Sequence, residues 1–140
     1  MKISARNVMP GEVKSVTKGT VNAEVTLALK GGEVLTAIIT NPSVDSLALV
    51  KGKPAFAIVK ASEVMIGKGL EKAKLSARNV LAGNVVHVTR GAVNSEVVVR
   101  LSGGTEVVAS ITKASVEALT LEVGDQVSAV VKASNVLIGV

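Results

Sequence analysis

The chain has 140 residues and no cysteine, which excludes a disulfide framework and thiolate metal sites. Phe56 is its only aromatic residue, so the core must be built from Val, Ala, Leu and Ile. The formal charge of +5 is unevenly spread: residues 1–67 carry eight Lys or Arg against five acids, 68–74 three against one, and 75–140 five of each. That imbalance alone does not argue for nucleic acid. Polar residues or Gly interrupt every apolar run well short of the ~18 residues that span a membrane. The start, MKISARNV, lacks the apolar stretch of a signal peptide. A soluble, cytoplasmic protein is expected.

In chain order, β-branched runs predict strands at Glu12–Thr17, Val21–Leu29, Val34–Thr40 and Pro54–Lys60, then at Asn84–Thr89, Val93–Leu101, Glu106–Thr112 and Gln126–Lys132. Lys18-Gly19 and Arg90-Gly91 break the chain after the first strand of each set. Gly31-Gly32 and Gly103-Gly104 fit hairpin turns, because adjacent glycines tolerate positive φ. Between strands three and four, Thr40–Leu49 and Thr112–Leu121 space Val44 and Leu47, and Val116 and Leu119, three apart after a Thr able to cap, which predicts a short helix. Pro42 suits its first turn.

These elements recur because the sequence recurs. Residues 3–67 and 75–139 align without a gap at an offset of 72, with about half the positions identical. The organisation read from this is module 1 over 1–67, a polar linker over 68–74 (KGLEKAK) and module 2 over 75–140. The fold class expected is mainly all-β: two tandem OB-like small β-barrels, each with one short helix. Aliphatic modules of about 65 residues have marginal cores, so association into a homo-oligomer is expected.

Duplication also filters candidate chemistry, because a duplicated function needs duplicated groups. His87 aligns with Ser15 and belongs to no repeated site. The repeated acids, Glu24 with Glu96 and Asp45 with Glu117, fall one apiece on a strand and a helix, which gives no close carboxylate pair for acid–base work or a hard cation. No repeated histidine is present to activate a serine. Catalysis is therefore not expected. What recurs is an inventory of anion-binding groups. Ser4, Arg6 and Asn7 in S-A-R-N reappear as Ser76, Arg78 and Asn79, while Lys60, Ala61 and Ser62 in K-A-S reappear as Lys132, Ala133 and Ser134. Hydroxyl and amide donors with Lys and Arg charge suit a tetrahedral oxyanion, and none of these groups places a negative charge beside it.

The S-A-R-N start, the G-x-V-N-x-E-V segments at Gly19–Val25 and Gly91–Val97, and the K-A-S-x-V endings at Lys60–Val64 and Lys132–Val136 resemble the molybdate-binding Mop (TOBE) domain, and two copies resemble the two-domain molbindins. The likeness covers nearly the whole chain. It implies an OB-like fold and a cytoplasmic protein that stores molybdate or tungstate. It also implies a homotrimer with sites at module and subunit interfaces. In the family's main site S-A-R-N and K-A-S come from different modules. Here that would join Ser4, Arg6 and Asn7 to Lys132, Ala133 and Ser134, or Ser76, Arg78 and Asn79 to Lys60, Ala61 and Ser62. A second family site near the trimer axis is assigned to Gly19, Val21 and Asn22 with Gly91, Val93 and Asn94.

Two other readings compete. An OB-like barrel and a pI near 9.7 also suit single-stranded nucleic acid, but such surfaces stack bases on aromatic rings, and Ser128 stands where a second Phe56 would be needed. A sensor or interaction module acting on a separate regulator or transporter is the other. The chain has neither a helix-turn-helix pattern nor a phosphate-binding G-x-x-x-x-G-K-[ST] loop of its own.

Overall fold

A computed structural model describes all residues, Met1–Val140. Two five-stranded antiparallel sheets account for most of the chain. The first repeat supplies β1 (Asn7–Lys18), β2 (Asn22–Leu29), β3 (Val34–Thr40), α1 (Asn41–Ser46), β4 (Pro54–Val59) and β5 (Met65–Gly67). The second supplies β6 (Asn79–Arg90), β7 (Asn94–Leu101), β8 (Glu106–Thr112), α2 (Lys113–Ala118), β9 (Gln126–Val131) and β10 (Leu137–Gly139). The fold is thus the expected one, a pair of curled OB-like sheets with one short helix each. No helix is long and apolar enough to cross a membrane.

Local signals explain the elements. Thr40 and Thr112 cap the helices by accepting from the backbone N–H of Ser43 (3.2 Å) and Ser115 (3.0 Å). Both helices are shorter than the periodicity predicts. They close at Leu47 and Leu119, after which Ala48 and Thr120 take positive φ (49° and 47°) and turn the chain away. The first strands begin earlier than predicted, at Asn7 and Asn79, and run on through Pro10-Gly11 and Ala82-Gly83. Gly11 is required there for packing: a Cβ would lie 2.5 Å from the Ala28 carbonyl oxygen, and Gly83 faces Arg100 in the same way. A bulge at Lys14, repeated at Val86, bends each long strand. His87 follows that bulge as an exposed strand residue.

The sheets do not coincide with the repeats. Strand order is β10-β4-β1-β2-β3 in one sheet and β5-β9-β6-β7-β8 in the other. Each repeat therefore gives its last strand to its neighbour: Leu137 pairs with Ile58 and Ile138 with Ala57, while Met65 pairs with Val130 and Ile66 with Ala129. The apolar core is correspondingly continuous. Val25, Leu27 and Ala57 of the first repeat belong to one buried cluster with Val97, Val99 and Ala129 of the second. The linker secures one exchanged strand: Leu70 covers Gly67, and Lys68 reaches Asp125 at 2.9 Å and the Thr120 carbonyl at 3.1 Å.

The halves meet about a pseudo-twofold axis. At the paired glycine turns the backbones approach so closely that a Cβ on Gly103 would lie 2.0 Å from the Gly31 carbonyl oxygen. Glu33 accepts from the Gly103 N–H at 2.8 Å, and Asn135 donates to Glu63 at 3.0 Å, a contact between the two copies of one position.

Candidate functional site

Antiparallel pairing brings the ends of each repeat together. The β1–β4 ladder begins with Asn7 opposite Val59, so Arg6 and Lys60, the next residues outward, leave the sheet side by side; Asn79 opposite Val131 does the same for Arg78 and Lys132. After Lys60 the chain enters a 3₁₀ turn, Ala61–Glu63, closed by Glu63 N–H to the Lys60 carbonyl (2.9 Å). The opening amides of such a turn, those of Ala61 and Ser62, have no acceptor within it. The copy at Ala133–Asn135 is built identically.

The result is a cavity of about 430 Å³ that gathers Ser4, Arg6, Lys60, Ala61 and Ser62 beneath an apolar rim that includes Ile3 and Leu137. Within one chain, therefore, S-A-R-N meets K-A-S of its own repeat, and the second repeat contributes Leu137 through the exchanged strand. The combinations of Ser4 with Ser134 or Ser76 with Ser62 are not the ones this cavity makes. Ile3 and Leu137 are 49% and 54% exposed, unusual for large aliphatic residues beside charged groups.

Asn7 and Asn79 stand apart from the other members of their motif. Both are 2% exposed. The Asn7 amide donates to the Val108 carbonyl (2.8 Å) and accepts from the Val108 N–H (2.7 Å), while Asn79 does the same to Thr36 at 2.8 and 2.7 Å. Each side chain thus pairs with the free edge of the other repeat's sheet, β8 or β3, as a neighbouring strand would. Their place in the structure is to anchor the loop that carries Ser4 and Arg6, or Ser76 and Arg78.

The guanidinium groups have partners that sequence reading missed. Arg6 donates to Glu96 at 2.7 Å, and Arg78 grips Glu24 with two bonds of 2.9 and 2.8 Å, in both cases across the repeats. That hydrogen bonding holds the Glu24 carboxyl below the usual carboxylate range and raises Arg78 further. A negative charge does therefore stand beside each motif, supplied by a residue outside it. The signal was the recurrence of Glu24 and Glu96 within G-x-V-N-x-E-V, whose cross-repeat partners no spacing reveals. Lys60 and Lys132, by contrast, form no ion pair and are exposed. They carry the uncompensated positive charge of the two motifs.

The loops assigned to a second site lie at the far end of β1 and β6. The Gly19 N–H is spent on the Asn22 carbonyl (2.7 Å), Asn41 ties its side chain to the Gly19 carbonyl (2.9 Å), and Val21 and Val93 project 68% and 74% exposed. Gly91 and Asn94 occupy the same positions in the second copy. A larger cavity, about 580 Å³, lies on the outer face of the second sheet among Arg100, Gln126 and Ser128. Its counterpart in the first repeat is a smaller cavity of about 430 Å³ lined by Pro10, Glu12, Ala28 and Lys30, where Ala28, Pro54 and Phe56 stand in place of Arg100, Gln126 and Ser128.

Comparison with known proteins agrees with the duplicated geometry. The model of the TOBE domain matches twice, over residues 3–66 and 75–138. The chain is 42% identical over 138 residues to the molybdenum-pterin-binding protein MopA of Rhodobacter capsulatus, covering 99% of this chain and 52% of that protein. It is 39% identical over 140 residues to the molybdenum transport protein ModE of Herbaspirillum seropedicae, covering all of this chain and 52% of that one. The chain thus spans about half the length of these curated relatives. A crystal structure of the cytoplasmic molybdate-binding protein ModG, with molybdate bound, superposes with a TM-score of 0.97 at 48% identity, covering 100% of this chain and 99% of that one. With both repeats matched and the whole architecture shared, the chain belongs to the TOBE-domain family.

Proposed function

We propose that this protein binds molybdate, and tungstate by the same chemistry, as a cytoplasmic oxyanion store. The observation that carries the reading is the cavity where Ser4, Lys60 and the Ala61–Ser62 turn converge beside Arg6, repeated in sequence at Ser76, Lys132, Ala133 and Ser134. Hydroxyl, amide and ammonium donors replace the hydration shell of a tetrahedral dianion, and no acid–base pair or nucleophile is arranged to transform it. Binding, not catalysis, is the activity. The molybdate-bound ModG structure and the molybdenum-protein names of the relatives support the choice of ion.

Assembly is part of the same proposal. The exposed Ile3 and Leu137 rim would be covered by a second copy of the chain, whose own S-A-R-N or K-A-S segment would complete the donor set, in a homotrimer. The exposed Val21 and Val93 loops, with Gly19, Asn22, Gly91 and Asn94, would then supply the second kind of site. Isothermal titration with molybdate, with sulfate and phosphate as controls, tests the reading alongside the oligomer mass. Uptake of more than one molybdate per chain by a trimer is expected. Absence of heat would remove the storage reading and favour an interaction module acting on a separate regulator or transporter.

A further inference from the structure

The polar residues of the two oxyanion motifs are identical in the two repeats, whereas the large apolar residues around them all differ. In the first cavity Ile58 is a buried wall, and Ile3 and Leu137 form the exposed rim. The corresponding positions of the second repeat hold Val130, Leu75 and Met65. The exchange of last strands preserves the arrangement, since Met65 lies opposite Val130 as Leu137 lies opposite Ile58. We propose that Ile58 and Leu137, with their counterparts Val130 and Met65, are specificity-determining residues, and that the first site discriminates between tetrahedral oxyanions of different size more strictly than the second. The inference rests on the oxyanion reading above.

Size selection depends on what fills the space that a smaller ion leaves. Polar groups hold one side of the anion, and the apolar side chains, which offer it no hydrogen bond, limit how it can shift. An ion smaller than the site leaves a gap, and a radial gap of about 0.5–1 Å already forfeits a quarter to a half of a contact's energy. In the first site the wall cannot follow the ion inward. Ile58 is branched at Cβ and stiff at its first torsion, and its Cδ1 lies so close under Gly139 of the exchanged strand that an added Cβ there would meet it at 3.1 Å. Val130 lacks that Cδ1, which opens the second site by one methylene, and Gly67, the counterpart of Gly139, is packed by Leu70 instead. Met65 is unbranched, with three rotatable bonds, so it adapts to ions of either size where Leu137 does not. The same hydrogen-bonding groups are thus enclosed by a rigid wall in one repeat and a roomier, pliable one in the other.

The test exchanges the walls in the full chain and leaves every polar group in place. Met65→Leu with Val130→Ile gives both sites the first wall, and Ile58→Val with Leu137→Met gives both the second. Each protein is dialysed against molybdate at a fixed concentration with increasing sulfate, and the molybdenum retained is measured. In the wild type the two sites should release molybdate at sulfate concentrations about tenfold apart, the low end of what one methylene discriminates in an apolar pocket. The first variant should keep only the step at high sulfate and the second only the step at low sulfate. Competition curves that coincide with the wild type, or that move in the same direction for both variants, would overturn the proposal. Either variant carries the test alone if the other does not fold, since each has its own expected direction. Failure of the wild type to bind molybdate at all would instead strike the oxyanion reading itself.

Discussion

The side-chain amide of Asn79 hydrogen-bonds both backbone groups of Thr36, at 2.7 and 2.8 Å, and so closes the open edge of the other repeat's sheet. Asn79→Ala leaves the N–H and C=O of a buried strand residue unpaired, and each orphan costs about 1–3 kcal/mol. Chemical denaturation should show a loss of about 2–4 kcal/mol, with a similar loss for Asn7→Ala at Val108.

Lys60 and Lys132 give the opposite expectation. Both are exposed and outside every ion pair, so Lys60→Ala with Lys132→Ala should change stability by no more than about 0.5 kcal/mol. Oxyanion binding should nonetheless be lost. Titration calorimetry beside a thermal melt checks both, and retained stoichiometry would remove the lysines from the site.

Acid stability follows from two carboxylates. The Lys68 ammonium, helped by the Glu122 N–H, lowers the pKa of Asp125, and Arg78 lowers that of Glu24. A carboxylate whose folded pKa is depressed contributes stability above its unfolded value, near 4, and loses it as pH falls through the folded value. Stability should therefore decline below about pH 4. In Lys68→Met the Asp125 part of that decline should shrink, since only the Glu122 N–H remains to lower its pKa, seen as a flatter melting temperature between about pH 4 and 2.

The glycine turns on the pseudo-axis give a steric test. A methyl group on Gly103 meets the Gly31 backbone, not a movable side chain, so the repeats must separate to admit it. Gly103→Ala should destabilise by about 1–3 kcal/mol or more in a denaturant titration. A change within about 0.5 kcal/mol would mean that the turns do not touch in solution.

Much of this was legible in the sequence because the signals are local. Gly31-Gly32 marked the hairpin, Thr40 and Thr112 marked the helix caps, and the offset of 72 marked the duplication. The return of β4 onto β1 was not legible in this way, and it puts Lys60 rather than Lys132 beside Arg6 within the chain. What stayed hidden depends on which sheet a segment joins. Met65-Ile66-Gly67 and Leu137-Ile138-Gly139 differ at one position and fit either sheet equally, so their exchange leaves no trace in composition or periodicity. Asn7 shows the same limit. Its type suits an anion ligand, and only the approach of Val108 from a distant strand makes it an anchor.

The exchanged strands also set an order of events during synthesis. A ribosome that has made the first repeat has not yet made the strand that completes its sheet, because Leu137–Gly139 close the second repeat. Met65–Gly67 must likewise wait for β9 before finding a partner. Leu137 is also a wall of the cavity that holds Ser4 and Lys60, so the nascent chain has no finished first pocket until the last strand of the second repeat emerges. Truncated products would carry both motifs of the first repeat and still lack the enclosure around them.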